Sequence, residues 1–200
     1  MSKAHTNLSK SLTWLLRHGA CAENVSMDAD GTVSISDILN HIQFAKFRWP
    51  DGRVGVTRDD IAVAVDTCPK RRMEFSACGQ RIRATQGHSA SLGLSEDAGL
   101  TPILDAADAP LAIHGTTKAA VPLIEACGGL KPMSRMHVHF ASGLPGADCV
   151  ISGMRAASAV IFHLDVAAAL TAGLKLFKSS NGVILCPSLV PLHLLRMEIR

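Results

Sequence analysis

Apolar side chains recur at Leu8, Leu12, Leu15 and Leu16 in the stretch NLSKSLTWLLRHG. A repeat of about three to four residues lays them on one stripe and predicts a helix with one buried face. Asn7 is placed to cap its start, and Gly19 to end it in a left-handed turn. Arg17 and His18 fall in the last turn, where cationic side chains complement the helix dipole. A short strand is expected at Thr32–Ile35, then a second helix with Ser36 as cap and Ile38, Leu39 and Ile42 inward. TRDDIAVAVDTC predicts a third helix, capped by Thr57. The period then changes. Met73–Ser76 and Arg81–Ala84 alternate as the two strands of a hairpin, with Ile82 and Ala84 on one face and Arg81 and Arg83 on the other. Three short helices closed by a hairpin predict a winged-helix lobe over residues 1–92, a shape that commonly binds nucleic acid.

Residues 93–110 carry no Lys or Arg and are punctuated by Gly, Pro, Ser and Asp, which predicts a linker. Beyond it, residues 111–200 read as a β-rich lobe. LAIHG is a strand, and TTKAAVPLIEACGG a helix capped by Thr117 and stopped at Gly128 and Gly129; Pro122 sits awkwardly inside it, so the helix is expected either to bend early or to begin near Val121. Further strands are expected at MHVHFA, SAVIFHL, LKLF and GVILC. Between the second and third of these, Asp165 caps a short helix that Gly173 ends. The fold class expected is therefore α+β.

Composition narrows the possibilities. Apolar residues make up 48% of the chain and charged ones 18%, which fits a folded protein and excludes a disordered one. No apolar run approaches the roughly 18 residues of a membrane span. MSKAHTNLSK lacks the apolar stretch of a secretory signal, so a soluble, intracellular protein is expected, with no membrane partner. The six cysteines (21, 68, 78, 127, 149, 186) never approach CxxC spacing, and reduced thiols are expected. Residues 1–95 carry 12 Lys/Arg and 9 Asp/Glu, whereas residues 96–200 carry 8 of each. The positive excess, including Lys70-Arg71-Arg72, thus lies in the first half, where it suits a phosphate-rich partner. With 4% aromatics and no tyrosine there is little material for stacking bases, so contact through a nucleic-acid backbone is expected.

Two histidine motifs bear on chemistry. His137 and His139 in HVH share one strand face, a pattern that can chelate a metal. A metal site needs a third and usually a fourth ligand. No Glu lies between Glu125 and Glu198, and Asp148 has no ligand-like partner, so no metal is expected. His114-Gly115-Thr116 ends a strand that leads into a helix, where backbone amides suit a phosphate or a sugar hydroxyl. No Gly-rich Walker or Rossmann loop occurs.

Taken in order, LSKSLTWLLRH, RIRATQGHS, IHGT, GGLKPMSRMHVHFASG and SSNGVILCP closely resemble the motifs of the RNA 2'-phosphotransferase family (the Tpt1/KptA proteins) across almost the whole chain. The resemblance implies a winged-helix N-terminal lobe joined to an ADP-ribosyltransferase-like C-terminal lobe. It implies removal of an internal RNA 2'-phosphate, such as that left at a tRNA splice junction, with NAD+ as co-substrate. The 2'-phosphate attacks the anomeric carbon of the nicotinamide ribose and expels nicotinamide. The ribose 2''-hydroxyl then attacks phosphorus, releasing RNA with a free 2'-hydroxyl and ADP-ribose 1'',2''-cyclic phosphate. A monomer is expected.

Carried over residue by residue, the resemblance makes Arg17, His18, Arg83 and Arg135 the catalytic set. Planar guanidinium forks grip phosphate oxygens bidentately, and His18 can donate towards the leaving 2'-oxygen. His114, Gly115, Thr116, Leu130, Met133 and His139 are matched to the NAD+ pocket. Gln86, Gly87 and His88 are matched to substrate-side support, with Arg81 a peripheral neighbour. Val183 stands where many ADP-ribosyltransferases carry a catalytic Glu, and a carboxylate there would repel an incoming phosphate. Thr85, Phe140 and Pro122 depart from the commonest family pattern without touching the catalytic set. The alternatives are ADP-ribosylation of terminal RNA or DNA phosphates in the same pocket, and a non-catalytic RNA-binding module.

Overall fold

The computed structural model describes residues 2–144 and 158–200, and the chain divides into two compact units, Met1–Gly99 and Leu100–Arg200. Asp148 and Cys149 lie outside the described residues. Helix and sheet are mixed, as α+β requires. No helix among the described residues is long and apolar enough to cross a membrane.

In the first unit, α1 spans Lys3–Trp14. Its cap is Ser2, whose Oγ accepts from the His5 N–H at 3.2 Å, and Asn7 lies inside the helix. The start is earlier than expected because the buried stripe reaches back to Ala4, which packs in one core with Leu8 and Leu12. Past Trp14 the helix widens into a π turn over Leu15–Gly19, in which the Ala20 N–H reaches the Leu15 carbonyl at 3.0 Å. Gly19 does not adopt the left-handed stop expected of it. It is glycine for lack of space: a Cβ there would lie 2.5 Å from the Trp14 indole.

Strand β1 (Thr32–Ser34) leads into α2 (Ile35–Asn40), which follows Ser34 and not Ser36. A separate turn of helix, α3 (Ile42–Ala45), begins after His41 and leaves Ile42 exposed, contrary to its expected inward place. Helix α4 (Arg58–Asp66) starts at Thr57, as its sequence predicts. Thr57 Oγ1 accepts from the Asp60 N–H, and Asp60 Oδ2 accepts from the Thr57 N–H at 2.8 Å. Arg53 closes this capping box by donating from both terminal nitrogens to the Asp60 carboxylate, at 2.7 and 2.8 Å. Strands β2 (Met73–Phe75) and β3 (Arg81–Ala84) form the expected hairpin, and β1 pairs with the other edge of β3. Ile82 and Ala84 face the core beside Leu12, Leu16, Phe44 and Ile61.

The second unit holds β4 (Thr101–Ile103), β5 (Ile113–Thr116), α5 (Val121–Ala126), β6 (Gly129–Leu130) and β7 (Val138–Phe140). After the undescribed stretch come β8 (Val160–Leu164), α6 (Val166–Thr171), β9 (Leu176–Lys178), β10 (Ile184–Cys186), β11 (Val190–Pro191) and β12 (Leu195–Ile199). One sheet has the order β4-β9-β10-β7 and another β12-β8-β5; β11 pairs with β6. Mutual hydrogen bonds between Ile113 and Ala141, at 2.9 and 2.7 Å, stitch the start of β5 to the end of β7. The segment 93–110, read as a linker, thus contributes a sheet strand, because Ile103 and Ala109 are buried in the core of this unit. Pro122 falls in the first turn of α5, where its missing N–H costs no hydrogen bond. Asp165 Oδ1 caps α6 through the Ala168 N–H, and Gly173 follows it at φ +82°.

Candidate active site

The π turn carries Arg17 and His18 together. Such one-residue widenings of a helix often mark functional positions, because they displace side chains from the regular helical spacing. The turn after β3 holds both residues in place. Gly87, at φ +88°, has the Arg17 guanidinium against its Cα; a Cβ there would lie 3.3 Å from both Cζ and Nε. The Nε and Nη2 atoms of Arg17 are buried. The Ser89 N–H donates to the Arg17 carbonyl at 2.9 Å, and the Ser89 Oγ is 2.7 Å from His18 Nδ1. Gln86 and His88 of this turn are themselves buried. Thr85 secures its base: the Thr85 N–H and Oγ1 donate to the carbonyls of Arg72 and Arg71, each at 3.0 Å.

Arg83 projects from β3 directly opposite Glu74 of β2. Its Nε and Nη2 both lie 2.7 Å from Glu74 Oε1, which fixes the plane of the guanidinium. Gly99, at φ +67°, lies against the same group; a Cβ there would sit 2.7 Å from Cζ. Arg81, on the same face of the strand, is not simply solvated. It donates to Thr32 Oγ1 at 2.9 Å and to the Thr32 carbonyl at 3.1 Å, and it pairs with Asp28 at 2.7 Å. Arg81 therefore pins the loop before β1, and Arg83 is held by Glu74 and Gly99.

The second unit contains a cavity of about 450 Å³, within the range of small-molecule sites. Leu123, Ile124, Leu130 and Val138 supply apolar wall, and His114, Ser134, Arg135 and His139 supply polar groups. Of the residues matched to a nucleotide pocket, His114, Leu130, Met133 and His139 line it. Gly115 and Thr116 do not; they sit in β5, paired with Ile161 and Val160 of β8. Met133 is exposed with a positive φ of 61°, in the turn where the Arg135 N–H donates to the Pro132 carbonyl. Arg135 is exposed at the wall of this cavity. Val183 is fully buried against Phe177 and Leu185, away from the cavity lining.

His114 has a defined chemical state. Its Nδ1 lies 2.9 Å from the His139 carbonyl, which can only accept, so Nδ1 carries the hydrogen. Burial pushes the pKa of the ring below the ordinary imidazole value, against the opposing pull of that carbonyl. The ring is then neutral near pH 7, and Nε2 is a hydrogen-bond acceptor. That suits a sugar hydroxyl better than a phosphate. Sequence reasoning missed Ser89 and Glu74. The second was within reach, since the hairpin register alone sets Glu74 across from Arg83. For Ser89 only the π turn, invisible in the pattern, reveals the partnership.

Comparison with known proteins agrees with the motifs. The model of the RNA 2'-phosphotransferase, Tpt1/KptA family matches residues 3–188. The chain is 39% identical over 188 residues to tRNA 2'-phosphotransferase 1 of Danio rerio, covering 90% of this chain and 77% of that protein. It is 36% identical over 202 residues to tRNA 2'-phosphotransferase of Saccharomyces cerevisiae, covering 98% and 84%. A probable RNA 2'-phosphotransferase of Rhizobium leguminosarum is 34% identical over 195 residues, covering 97% and 95%. The chain belongs to the RNA 2'-phosphotransferase, Tpt1/KptA family.

Proposed function

We propose that this chain is an NAD+-dependent RNA 2'-phosphotransferase, with a winged-helix RNA-side lobe and an ADP-ribosyltransferase-like lobe that holds the dinucleotide. The names of its relatives favour tRNA as the RNA. The observation that carries the reading is the way the first unit builds its cationic groups. Arg17 is laid on a glycine, Arg83 is locked by Glu74 against a second glycine, and His18 is fixed by Ser89. Arginines positioned so tightly suit a phosphate group at which charge develops. An RNA-binding face alone would work with mobile lysines.

The cavity of the second unit fits part of a dinucleotide in volume and lining, with the neutral His114 ring as acceptor for a ribose hydroxyl and Leu130 and Val138 as apolar wall. NAD+ supplies an electrophilic anomeric carbon to the RNA phosphate and a ribose hydroxyl that carries the phosphate away. Arg17, Arg83 and Arg135 grip the phosphate oxygens, and His18 donates towards the RNA 2'-oxygen as its bond to phosphorus breaks.

The test is incubation of the protein with NAD+ and a short RNA bearing one internal 2'-phosphate. Loss of the phosphate with release of nicotinamide and a cyclic ADP-ribose phosphate is expected. Arg17→Ala, Arg83→Ala and Arg135→Ala should accumulate ADP-ribosylated RNA. A wild-type protein that leaves the RNA unchanged, or that stops at a stable ADP-ribosylated end, overturns the reading.

A further inference from the structure

In the sheet β12-β8-β5, β12 pairs with β8 and, among the described residues, with no other strand. The direction of its main-chain groups follows from the register. The Arg200 N–H donates to the Ala159 carbonyl, and the Asp165 N–H to the Leu194 carbonyl, each at 2.9 Å. Hydrogen-bonded pairs alternate in an antiparallel ladder, so Arg196 and Glu198 also turn their main-chain groups to β8. Those of Leu195, Met197 and Ile199 therefore point out of the sheet edge, as a template for another strand. The side chains carry a second signal. Leu195, Met197 and Ile199 lie across from Leu164, Phe162 and Val160, which are buried in the core of this unit. They share that apolar face, yet Met197 is 44% and Ile199 63% exposed. Edge strands are commonly blunted by lysine, proline or a bulge. None interrupts Leu195–Ile199, whose ladder to β8 is continuous.

We propose that β12 is an interface between two copies of this chain, paired antiparallel about a two-fold axis at Met197, in place of the monomer expected from the sequence. In that register Met197 meets Met197, Leu195 meets Ile199, and Arg196 meets Glu198 of the second copy. The first two pairs join residues whose N–H and carbonyl groups point outward, so each pair exchanges ladder hydrogen bonds. Arg196 and Glu198 fall in the alternate pairs, where opposed side chains come closest and opposite charges attract. Glu198 Oε2 is 2.9 Å from His163 Nε2, whereas Oε1 lies 3.8 Å from Arg200 Nε, too far for a hydrogen bond. Oε1 is the atom that Arg196 of the second copy would reach. Other registers are worse. Sliding the strands by one residue sets outward main-chain groups against inward ones. Sliding by two sets Arg196 against Arg196, or Glu198 against Glu198. The charge pattern of this short strand is thus complementary to itself in one register, as a two-fold interface requires.

The experiment is sedimentation equilibrium of the full chain over a range of concentrations. The mass should rise from the 21.1 kDa of one chain towards twice that value. Arg196→Glu sets a like charge against Glu198, and Glu198→Arg sets one against Arg196, so each variant alone should stay a monomer. Mixed in equal amounts, the two variants recover opposite charges at both positions and should associate again. Met197→Lys leaves the contact between Glu198 and His163 in place and should also give a monomer. Thermal melting of each variant at low concentration checks that it is folded, and Met197→Lys decides the matter if a charge variant is not. A wild-type chain that stays at 21.1 kDa up to about 1 mM leaves this edge to a different protein and overturns the proposal. A dimer that survives the single substitutions overturns it too, since another surface must then hold the copies. Charge variants that are monomers alone and fail to pair when mixed overturn the two-fold register.

Discussion

Gly87→Ala is the most informative single change, because it acts on Arg17 through space alone. The glycine has φ +88°, and its missing Cβ would lie 3.3 Å from Cζ and Nε of Arg17 and 3.5 Å from Nη1. Two costs follow. Holding alanine in a left-handed backbone costs about 1–2 kcal/mol. For a chain of this length that lowers the melting temperature by roughly 2–8 °C. The second cost is positional, since a contact of 3.3 Å forces the guanidinium to move by a few tenths of an ångström. Misplacement by about 1 Å can cost on the order of 100-fold in a positioned reaction, so a smaller shift should cost roughly 10-fold. The assay is single-turnover transfer from 2'-phosphorylated RNA, with the formation and the decay of ADP-ribosylated RNA timed separately. Gly87→Ala should slow the decay and leave KM for NAD+ near its wild-type value. The double variant Gly87→Ala/Arg17→Ala should be no slower than Arg17→Ala alone, because both changes act on one guanidinium. A Gly87→Ala protein that melts lower yet clears the intermediate at the wild-type rate would refute the claim that this glycine sets Arg17.

Other expectations follow from local geometry. Glu74→Gln removes the carboxylate that fixes Arg83; with both side chains partly exposed, stability should change by less than about 1 kcal/mol, while transfer slows several-fold in the same single-turnover assay. Gly19→Ala places a Cβ 2.5–3.0 Å from the Trp14 ring, so the indole must swing outward; chemical denaturation should show a loss of about 1–3 kcal/mol, with a red-shifted tryptophan emission. Arg53 and Thr57 hold the Asp60 pKa down at about 2. Because the folded value lies below the unfolded one, the stabilisation is complete above about pH 4 and is lost as pH falls towards 2. Urea denaturation across that window should show a shallower acid limb for Asp60→Asn than for the wild type, and equal limbs would discount the capping box.

The elements that the sequence predicted well are those whose signal is local. Thr57 and Asp165 precede regular apolar runs, and both cap helices through their own side chains. The alternation of Arg81–Ala84 predicted which side chains are buried, because a strand has only two faces. It could not separate Arg81 from Arg83. Their partners differ: Thr32 and Asp28 hold Arg81, and Glu74 holds Arg83. The resemblance in RIRATQGHS, not the alternation, singled out Arg83. Strand β12 escaped notice because Met197 and Ile199 are exposed and give no clean alternation. Gly19 and Gly87 teach the same lesson from the other direction. A glycine at the end of an apolar stripe reads as a helix stop, and a glycine in QGH reads as a tight turn. Only the turn is correct, and even there the backbone angle is half the reason. Each glycine also clears space for one large side chain, Trp14 or Arg17, and the π turn between them brings Arg17 and His18 out together. A pattern of apolar spacing carries no term for an inserted residue, so the widening that brings Arg17 and His18 together appears only once the chain is folded.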